Sequence, residues 1–322
     1  MKLSQKLLTN QRISIPIPEN PIFEYSHRFV FLGSCFSNEM HQRLEAAFID
    51  TSSNPFGTLF SPSALKKTTD ILAGNCDENI VLFEDHYHCL DFDSSFVSDN
   101  LNDLHNRIKA IKTEWKHKIQ NAHHLTVTLG TAFVYRHLES NENVGNCHKI
   151  PSTQFSKILL SAEEIQQSCS RMVQNLKTIN PALRITFTIS PVRHLRDGIL
   201  ENSLSKSTLK VGLHSFLNQH SDIQSFPSFE IFNEELRNTE YFAPDLAHPN
   251  TWSTDYIFYR WIETYGTPEF LNYMEAAQKL RKNILHRPKS TDAASLKTWE
   301  SMLAKLKLEF LKRYPGVKLQ IG

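Results

Sequence analysis

Three side chains that could carry out acyl chemistry stand in two distant segments of the sequence. Ser34 lies in the run Gly-Ser-Cys-Phe at residues 33–36, and Asp245 and His248 lie in Asp-Leu-Ala-His-Pro at residues 245–249. A hydroxyl, an imidazole and a carboxylate are the groups that a serine hydrolase needs. A spacing of three brings Asp245 and His248 to one side of a turn, so the carboxylate can orient the imidazole. The two segments together predict a Ser34–His248–Asp245 triad.

The residues around Ser34 predict a strand followed by a helix. Residues 29–32 form a short apolar run typical of a buried strand, and Gly33 permits a tight turn after it. Ser34 would then stand at a helix N-terminus, where unpaired backbone amides could hold a developing oxyanion. The alternative is that Ser34 only caps the helix. The helix is indicated by apolar residues that recur every four positions, namely Phe36, Met40, Leu44 and Phe48.

Cys35 is a rival nucleophile because it neighbours Ser34 and a helix N-terminus lowers the pKa of a thiol. We favour Ser34, since a bend that exposes one residue tends to turn its neighbour inward. The five cysteines are widely spaced and contain no Cys-x-x-Cys pair, which argues against a disulfide framework or a structural zinc site. Cys169 falls on the apolar face of a predicted helix and is expected in the core.

Strand and helix patterns alternate along the middle of the chain. Residues 124–129 and 184–190 read as central strands, and a capping box at Ser161 and Glu164 opens a helix between them. A second helix is predicted ahead of the first of these strands. This alternation favours a parallel sheet covered on both faces, with the site at the carboxyl ends of its strands. The helix that precedes residue 124 is marked by Leu101, Leu104, Ile108, Ile111, Trp115 and Ile119.

The chain resembles the GSCFA family, named for the block that reads Gly-Ser-Cys-Phe-Ser at residues 33–37, with Ser37 where the family usually has Ala. The resemblance runs from about residue 28 to about residue 290, with the blocks in the family's order. The family is similar to the SGNH/GDSL hydrolases, which cleave esters with a Ser and an Asp-x-x-His pair. Further blocks occur at residues 54–58, 128–132, 146–149, 188–194, 245–249 and 286–288.

This resemblance implies a flavodoxin-like α/β/α sandwich with a mostly parallel sheet, and it matches Ser34 to the nucleophile, His248 to the base and Asp245 to its orienting group. The wider SGNH pattern has Gly-x-Asn after a central strand, whereas this chain has Gly-Thr-Ala at residues 130–132. The usual asparagine donor to the oxyanion is therefore missing. We expect Asn54, Gly57 and Gly130 as substitute oxyanion donors.

The expected reaction is hydrolysis of an acyl ester, such as an acetyl group on a sugar or related metabolite, without any cofactor. Transfer of the acyl group to a sugar hydroxyl by the same triad is one alternative. A non-catalytic binding or scaffold protein on a degenerate hydrolase fold is the other, since Ala132 replaces the asparagine. Residues expected to bind a small-molecule or carbohydrate ester are Asn146, His148, Lys149, Arg193 and His194.

The overall charge is balanced, with 35 basic and 34 acidic residues among 322 and a net charge of +1. This balance predicts no general attraction to nucleic acid or to an anionic membrane. No apolar stretch approaches a membrane span, and polar residues interrupt the N-terminal segment, so a cytoplasmic location is the expectation. Lys206 and Lys210 are interpreted as the solvated face of a helix. The oligomeric state is left open.

Residues 1–265 are predicted to form the hydrolase domain, with the first 25 or so residues as a lead-in segment. Residues 266–322 are predicted to form a helical extension packed on it, built from amphipathic helices at 267–282 and 293–313. Residues 85–88 read Asp-His-Tyr-His and carry ligand types for a divalent ion. Strand alternation produces His-x-His by chance, however, and we predict no metal site.

Overall fold

A computed structural model describes residues 12–16, 18, 22–286 and 292–319 of the chain. Its central sheet holds five parallel strands, β1 (Phe29–Gly33), β2 (Thr51–Ser53), β6 (His124–Leu129), β10 (Arg184–Ile189) and β11 (Gln224–Phe226), in the order β11-β10-β6-β1-β2. The predicted parallel sheet and both predicted central strands are confirmed.

Helices cover both faces of this sheet. Their bounds are α1 Cys35–Ala46, α2 Pro62–Ala73, α3 Leu101–Gln120, α4 Ala162–Ile179, α5 Ile199–Leu217, the short α6 Ser228–Glu230, α7 Thr251–Tyr265, α8 Pro268–Leu285 and α9 Ala293–Arg313. The predicted capping box is present at α4, where the Ser161 and Glu164 side chains each bond the other's backbone N–H. Cys169 lies in the core as expected.

The two faces of the sheet pack against different sets of helices because alternate strand residues point to opposite sides. On β1, Val30 and Leu32 join one apolar cluster, which includes side chains of α2, α3, α4 and α5. Phe29 and Phe31 join a second cluster, which includes side chains of α1, α7 and α8. The protein is therefore an α/β/α three-layer sandwich with a mostly parallel sheet.

Two small antiparallel sheets, which the sequence analysis did not predict, lie in the connections between strands of the central sheet. One holds β3 (Ile80–Phe83), β4 (His86–Cys89) and β5 (Val97–Ser98), and the other holds β7 (Phe133–His137), β8 (Asn143–Val144) and β9 (Phe155–Leu159). The His-x-His sequence lies on β4. It pairs with β3 across a turn in which both central residues, Glu84 and Asp85, have positive φ.

The two C-terminal helices lie against the helical layer that contains α1. Tyr273 of α8 is buried and its hydroxyl donates to the Ala47 carbonyl at 2.7 Å, while Phe310 of α9 contacts the ring of Phe48. Of the lead-in segment, Phe23 is buried and its amide donates to the Tyr265 carbonyl. Residues 1–11 of the lead-in and 287–288 of the family block lie outside the described residues.

Candidate active site

The turn from β1 into α1 is fixed by close contact between Gly33 and the neighbouring strand β6. Gly33 has φ +125°, and a Cβ at this position would lie 2.1 Å from the Thr128 carbonyl oxygen. Its N–H donates to Asn54 Oδ1 at 2.8 Å. Only glycine fits this backbone, which sets the direction in which the next residues leave the sheet.

Ser34, the predicted nucleophile, is the N-cap residue of α1 and is buried. Its N–H donates to the Thr128 carbonyl at 3.1 Å, and only 1% of the residue is exposed. The Ser34 Oγ is buried without a hydrogen-bond partner among the described residues, so it forms no hydrogen bond with His248 and provides no side-chain cap for the helix. The bend exposes one residue and buries its neighbour, as expected, but the buried residue is Ser34.

Cys35, the first residue of α1, faces the histidine instead. Its Sγ lies 3.8 Å from His248 Nε2, within reach of a sulfur hydrogen bond. On the other side of the ring, His248 Nδ1 donates to Asp245 Oδ2 at 2.6 Å. A thiol, an imidazole and a carboxylate therefore stand in the order that nucleophilic catalysis requires. The structure brings together the predicted His248 and Asp245, and the side chain that faces His248 is the thiol of Cys35.

The segment that carries His248 is held in shape by Asp245. Its Oδ1 accepts hydrogen bonds from the amides of Ala247 at 2.9 Å and His248 at 3.0 Å. The His248 amide, the Ala247 amide and the imidazole together lower the pKa of Asp245 to about 2. The carboxylate is therefore ionised at neutral pH. The side chains of His248 and Asp245 are 48% and 51% exposed, so water reaches the pair.

The environment of Cys35 favours the thiol over the thiolate in the resting protein. Burial raises the pKa of Cys35, and the negative charge of Glu39 raises it further. The Phe36 amide and the positive charge of Lys206 act in the opposite direction. Because the net shift is upward, a base must remove the Cys35 proton, and His248 stands in the position to do so.

The three expected oxyanion donors are engaged in other hydrogen bonds. Asn54 accepts from Gly33 and donates through Nδ2 to Asn38 Oδ1 at 2.9 Å. The Gly57 amide donates to the Asn54 carbonyl, and the Gly130 amide donates to the Phe60 carbonyl at 2.7 Å. In this structure these groups shape the loops around the site. The sequence could not show that their donors are already used within neighbouring turns.

Two of the five expected substrate-binding residues lie in the loop after β10, and one of them is bonded directly to the segment that carries His248. The Arg193 amide donates to the Ala247 carbonyl at 2.9 Å, and the Arg193 guanidinium lies 4.1 Å from the centre of the Phe242 ring. His194 contacts the Phe60 ring edge-on at 5.1 Å, and its amide donates to Asn202.

The other three expected substrate-binding residues contact a different part of the chain from Arg193 and His194. The Asn146 amide donates to the Leu90 carbonyl, and His148 is buried with its Nε2 beside the Phe92 carbonyl. Lys149, like His148, adopts positive φ. Among the contacts of the described residues, none joins these three side chains to Cys35 or His248.

Lys206 was missed by the sequence analysis, and its interpretation as a solvated residue is wrong. Only 2% of Lys206 is exposed, and its Nζ donates to the carbonyls of Gly130 at 2.7 Å and Ser190 at 2.8 Å. The sequence did contain an indication that Lys206 is buried. Lys206 lies on the same face of the helix as Leu209, Leu213 and Phe216, all of which are buried. Lys210, by contrast, is half-exposed and pairs with Glu230.

Within the described ranges, no group of three or more His, Cys, Asp or Glu side chains is arranged to hold a metal ion. In the same ranges, no helix is both long and apolar enough to cross a bilayer.

The chain shows distant likenesses to solved structures of esterases. No curated sequence matches significantly. A carbohydrate esterase family 3 structure from Talaromyces cellulolyticus aligns with 8% identity over 77% of this chain and 98% of its own, with a TM-score of 0.35. An acetyl xylan esterase from the rumen bacterium Butyrivibrio proteoclasticus aligns with 11% identity over 82% of this chain and 66% of its own, with a TM-score of 0.37.

Family comparison gives a firmer result than these distant structural likenesses. The model of the GSCFA family matches residues 28–261. This range contains β1, the Gly33 turn, Cys35, the loop after β10 and the Asp245–His248 pair. Since the match spans most of the 322 residues, the chain is a member of the GSCFA family.

Proposed function

We propose that this protein is an ester hydrolase in which Cys35 is the nucleophile, His248 the general base and Asp245 the group that orients His248. The observation that carries the proposal is the chain of contacts from Cys35 Sγ to His248 Nε2 and from His248 Nδ1 to Asp245 Oδ2. These three residues lie near the N-terminus of α1 and the carboxyl ends of the parallel strands. Active sites of α/β proteins commonly lie at this edge of the sheet.

In the proposed reaction, His248 takes the proton of Cys35 while the sulfur attacks the acyl carbonyl. The tetrahedral intermediate collapses to a thioester on Cys35, and the alcohol leaves with the proton from His248. A water molecule, deprotonated by His248, then attacks the thioester carbonyl. The C–S bond breaks, the acid is released, and the Cys35 sulfur takes back the proton from His248. Asp245 remains ionised throughout, since the hydrogen bonds that it accepts hold its pKa at about 2.

Access of water supports hydrolysis over transfer of the acyl group to a second alcohol. About half of each side chain in the His248–Asp245 pair is exposed. An acyltransferase with the same residues must keep water from the thioester, and an open pair does not do so. Small acyl esters, including acetylated sugars, are the substrates to test, and adding free sugar acceptors would reveal any transfer product.

The decisive experiment measures hydrolysis of p-nitrophenyl acetate by wild type and by Cys35→Ala, Ser34→Ala and His248→Ala. Cys35→Ala and His248→Ala are expected to lower kcat/KM by at least about 10³-fold, since each removes a group of one catalytic unit. Ser34→Ala is expected to stay within about threefold, because Ser34 Oγ makes no hydrogen bond. Cys147→Ala, which removes another partly exposed free thiol, is the matched control.

Two outcomes would contradict the proposal. If Ser34→Ala is inactive while Cys35→Ala is active, the enzyme is a serine esterase. If wild type hydrolyses no ester and iodoacetamide does not label Cys35 faster than Cys147, the chain is a binding or scaffold protein on a hydrolase fold.

A further inference from the structure

The residues named so far include no free side-chain donor for the oxyanion of the proposed reaction. When sulfur attacks an ester, the carbonyl oxygen becomes negatively charged, and one donor aimed at it can contribute about 10²–10³-fold to kcat. Ala132 has no side-chain donor, and the three donors expected from the sequence bond other groups. Among the described residues, the first two backbone N–H groups of α1, those of Cys35 and Phe36, have no backbone or capping acceptor.

Asn38 lies one helical turn after Cys35 on the same face of α1. In an α-helix, residues three positions apart have Cβ atoms about 5–6 Å apart. Each side chain also leans towards the helix N-terminus, so the side chain of Asn38 extends over the turn that carries the Cys35 thiol. Cys35 and Asn38 are both partly exposed, whereas the two residues between them are buried. The two side chains therefore share the accessible side of the helix start.

A chain of hydrogen bonds fixes the orientation of the Asn38 amide. The Gly33 N–H can only donate, so the Asn54 atom that lies 2.8 Å from it is the oxygen, Oδ1. The other end of the Asn54 amide is then Nδ2, which donates to the Asn38 oxygen at 2.9 Å. The remaining end of the Asn38 side chain is consequently its NH2 group. Within the described ranges, this group donates to no other protein atom.

Other side-chain donors near the ends of these strands already have partners. The Ser37 hydroxyl donates to the Leu32 carbonyl at 3.1 Å. The Lys206 ammonium donates to the carbonyls that directly follow β6 and β10, at 2.7 Å and 2.8 Å. The NH2 group of Asn38 differs from these groups because its direction is fixed while its own donors remain available to a ligand beside Cys35.

We propose that Asn38 is a catalytic residue whose side-chain NH2 donates a hydrogen bond to the substrate carbonyl oxygen as Cys35 attacks. This inference rests on the proposed function, because it assumes that an acyl carbonyl binds beside Cys35. The hydrogen bond strengthens as the oxygen becomes negatively charged and weakens when the tetrahedral intermediate collapses. No proton passes to or from Asn38 in either step, so its role is distinct from that of His248.

The first test compares Asn38→Ala with wild type in two reactions of Cys35. For p-nitrophenyl acetate, we expect kcat to fall by about 10²-fold while KM stays within about threefold, because the carbonyl of bound substrate carries no charge. Alkylation by iodoacetamide should stay within about twofold, since it depends on the thiolate and forms no oxyanion. Asn75→Ala, which also removes an asparagine–asparagine hydrogen bond of 2.9 Å, is the matched control and should keep wild-type kcat.

A second variant, Asn38→Asp, separates donation to substrate from a structural role. Its carboxylate can still accept the hydrogen bond from Asn54 but has no N–H to donate. We therefore expect a kcat no higher than that of Asn38→Ala in a protein that folds, as checked by a thermal melt. If Asn38 only holds the Asn54 loop in place, this variant should instead approach wild-type kcat.

Three results would overturn the inference. The first is a kcat within about threefold of wild type in Asn38→Ala, since loss of an oxyanion donor costs far more. The second is wild-type kcat in Asn38→Asp. The third is a loss of alkylation rate in Asn38→Ala as large as the loss of kcat, which would show that Asn38 acts by placing the thiol.

The outcomes also separate this inference from the proposed function. If Cys35→Ala remains active while Asn38→Ala loses kcat, the nucleophile is another residue but the oxyanion donor stands. If Cys35→Ala is inactive and Asn38→Ala keeps its kcat, the mechanism stands and other groups bind the oxyanion. If wild type hydrolyses no ester, the proposed function and the role of Asn38 are both wrong.

Discussion

At the scale of single residues, Asp245 does more than accept one hydrogen bond from His248. The same carboxylate also receives two backbone amides of its own turn, and Leu246 within that turn adopts φ +55°. The imidazole is therefore oriented before substrate arrives, even though both side chains are half-exposed. In the proposed mechanism, a ring that is fixed in advance avoids the entropic cost of ordering an exposed histidine.

Asp245→Asn is expected to lower kcat by about 10²-fold or more, because an amide cannot hold the imidazolium that forms during catalysis. The melting temperature should change little, since the replaced side chain is exposed. Steady-state kinetics on p-nitrophenyl acetate and a thermal melt check both. Asp222→Asn, at another exposed aspartate in a turn, is the control. Equal kcat in the two variants would exclude a role for Asp245.

At the scale of elements, the site depends on how the first turn of α1 is fastened to the sheet. Ser37, which stands where the family usually has Ala, is buried; its Oγ donates to the Leu32 carbonyl and shares a second hydrogen bond, at 2.9 Å, with the Thr128 hydroxyl. The Ser34 amide bonds the Thr128 carbonyl as well. Three bonds from the helix start to β1 and β6 thus set the position from which Cys35 reaches His248.

Gly33→Ala is expected to lower both the melting temperature and kcat/KM, the latter by at least about tenfold. The added Cβ would clash with the Thr128 carbonyl oxygen and force the N-terminus of α1 away from β6. The control is Gly74→Ala at the end of α2, where φ is +79° but no atom lies within 4 Å of the added Cβ. This control should lose only about 1 kcal/mol from left-handed strain and keep full activity. Similar losses in both variants would show that contact with Thr128 is unimportant.

At the scale of the whole molecule, a histidine cluster lies at the opposite, amino-terminal edge of the sheet. His27 Nδ1 lies 2.9 Å from His124 Nε2, and the His27 and His123 rings stack at 4.5 Å. Burial, together with the charge of His123, lowers the pKa of His27 to about 4, and burial lowers the pKa of His124 well below its usual value. Glu24 and Arg184 are the other charged groups that act on His27.

This cluster predicts that the protein loses stability as the pH falls from about 6.5 towards 4. In that pH range His27 is protonated in the unfolded chain but stays neutral in the folded protein. The free energy of unfolding therefore decreases by about 1–2 kcal/mol for His27 between pH 7 and pH 5. His27→Asn should therefore show a smaller drop in melting temperature between pH 7.5 and pH 5 than wild type. His105→Asn, at an exposed position of α3, should show the same drop as wild type. An equal drop in all three would contradict the prediction.

Much of the architecture follows from local sequence patterns. The run at residues 29–32, the alternation at 124–129 and the stripe that begins at Leu101 each predict an element that the structure confirms as β1, β6 and α3. These patterns are informative because burial on one face imposes a fixed period on a helix or strand. The short antiparallel sheets were missed because strands of two to five residues leave too little period to recognise.

The pairing of Asp245 with His248 was also determined by the sequence, because a spacing of three within one turn is enough to bring them together. Which of the two side chains, Ser34 or Cys35, faces the histidine was not determined by the sequence. It depends on the φ of Gly33 and on the bonds to Thr128 in β6, a strand more than ninety positions away in the sequence. The burial of Lys206 likewise arises where α5 crosses two strand ends. Residue types and short spacings thus defined the chemistry available, and long-range packing decided which neighbouring side chain faces the histidine.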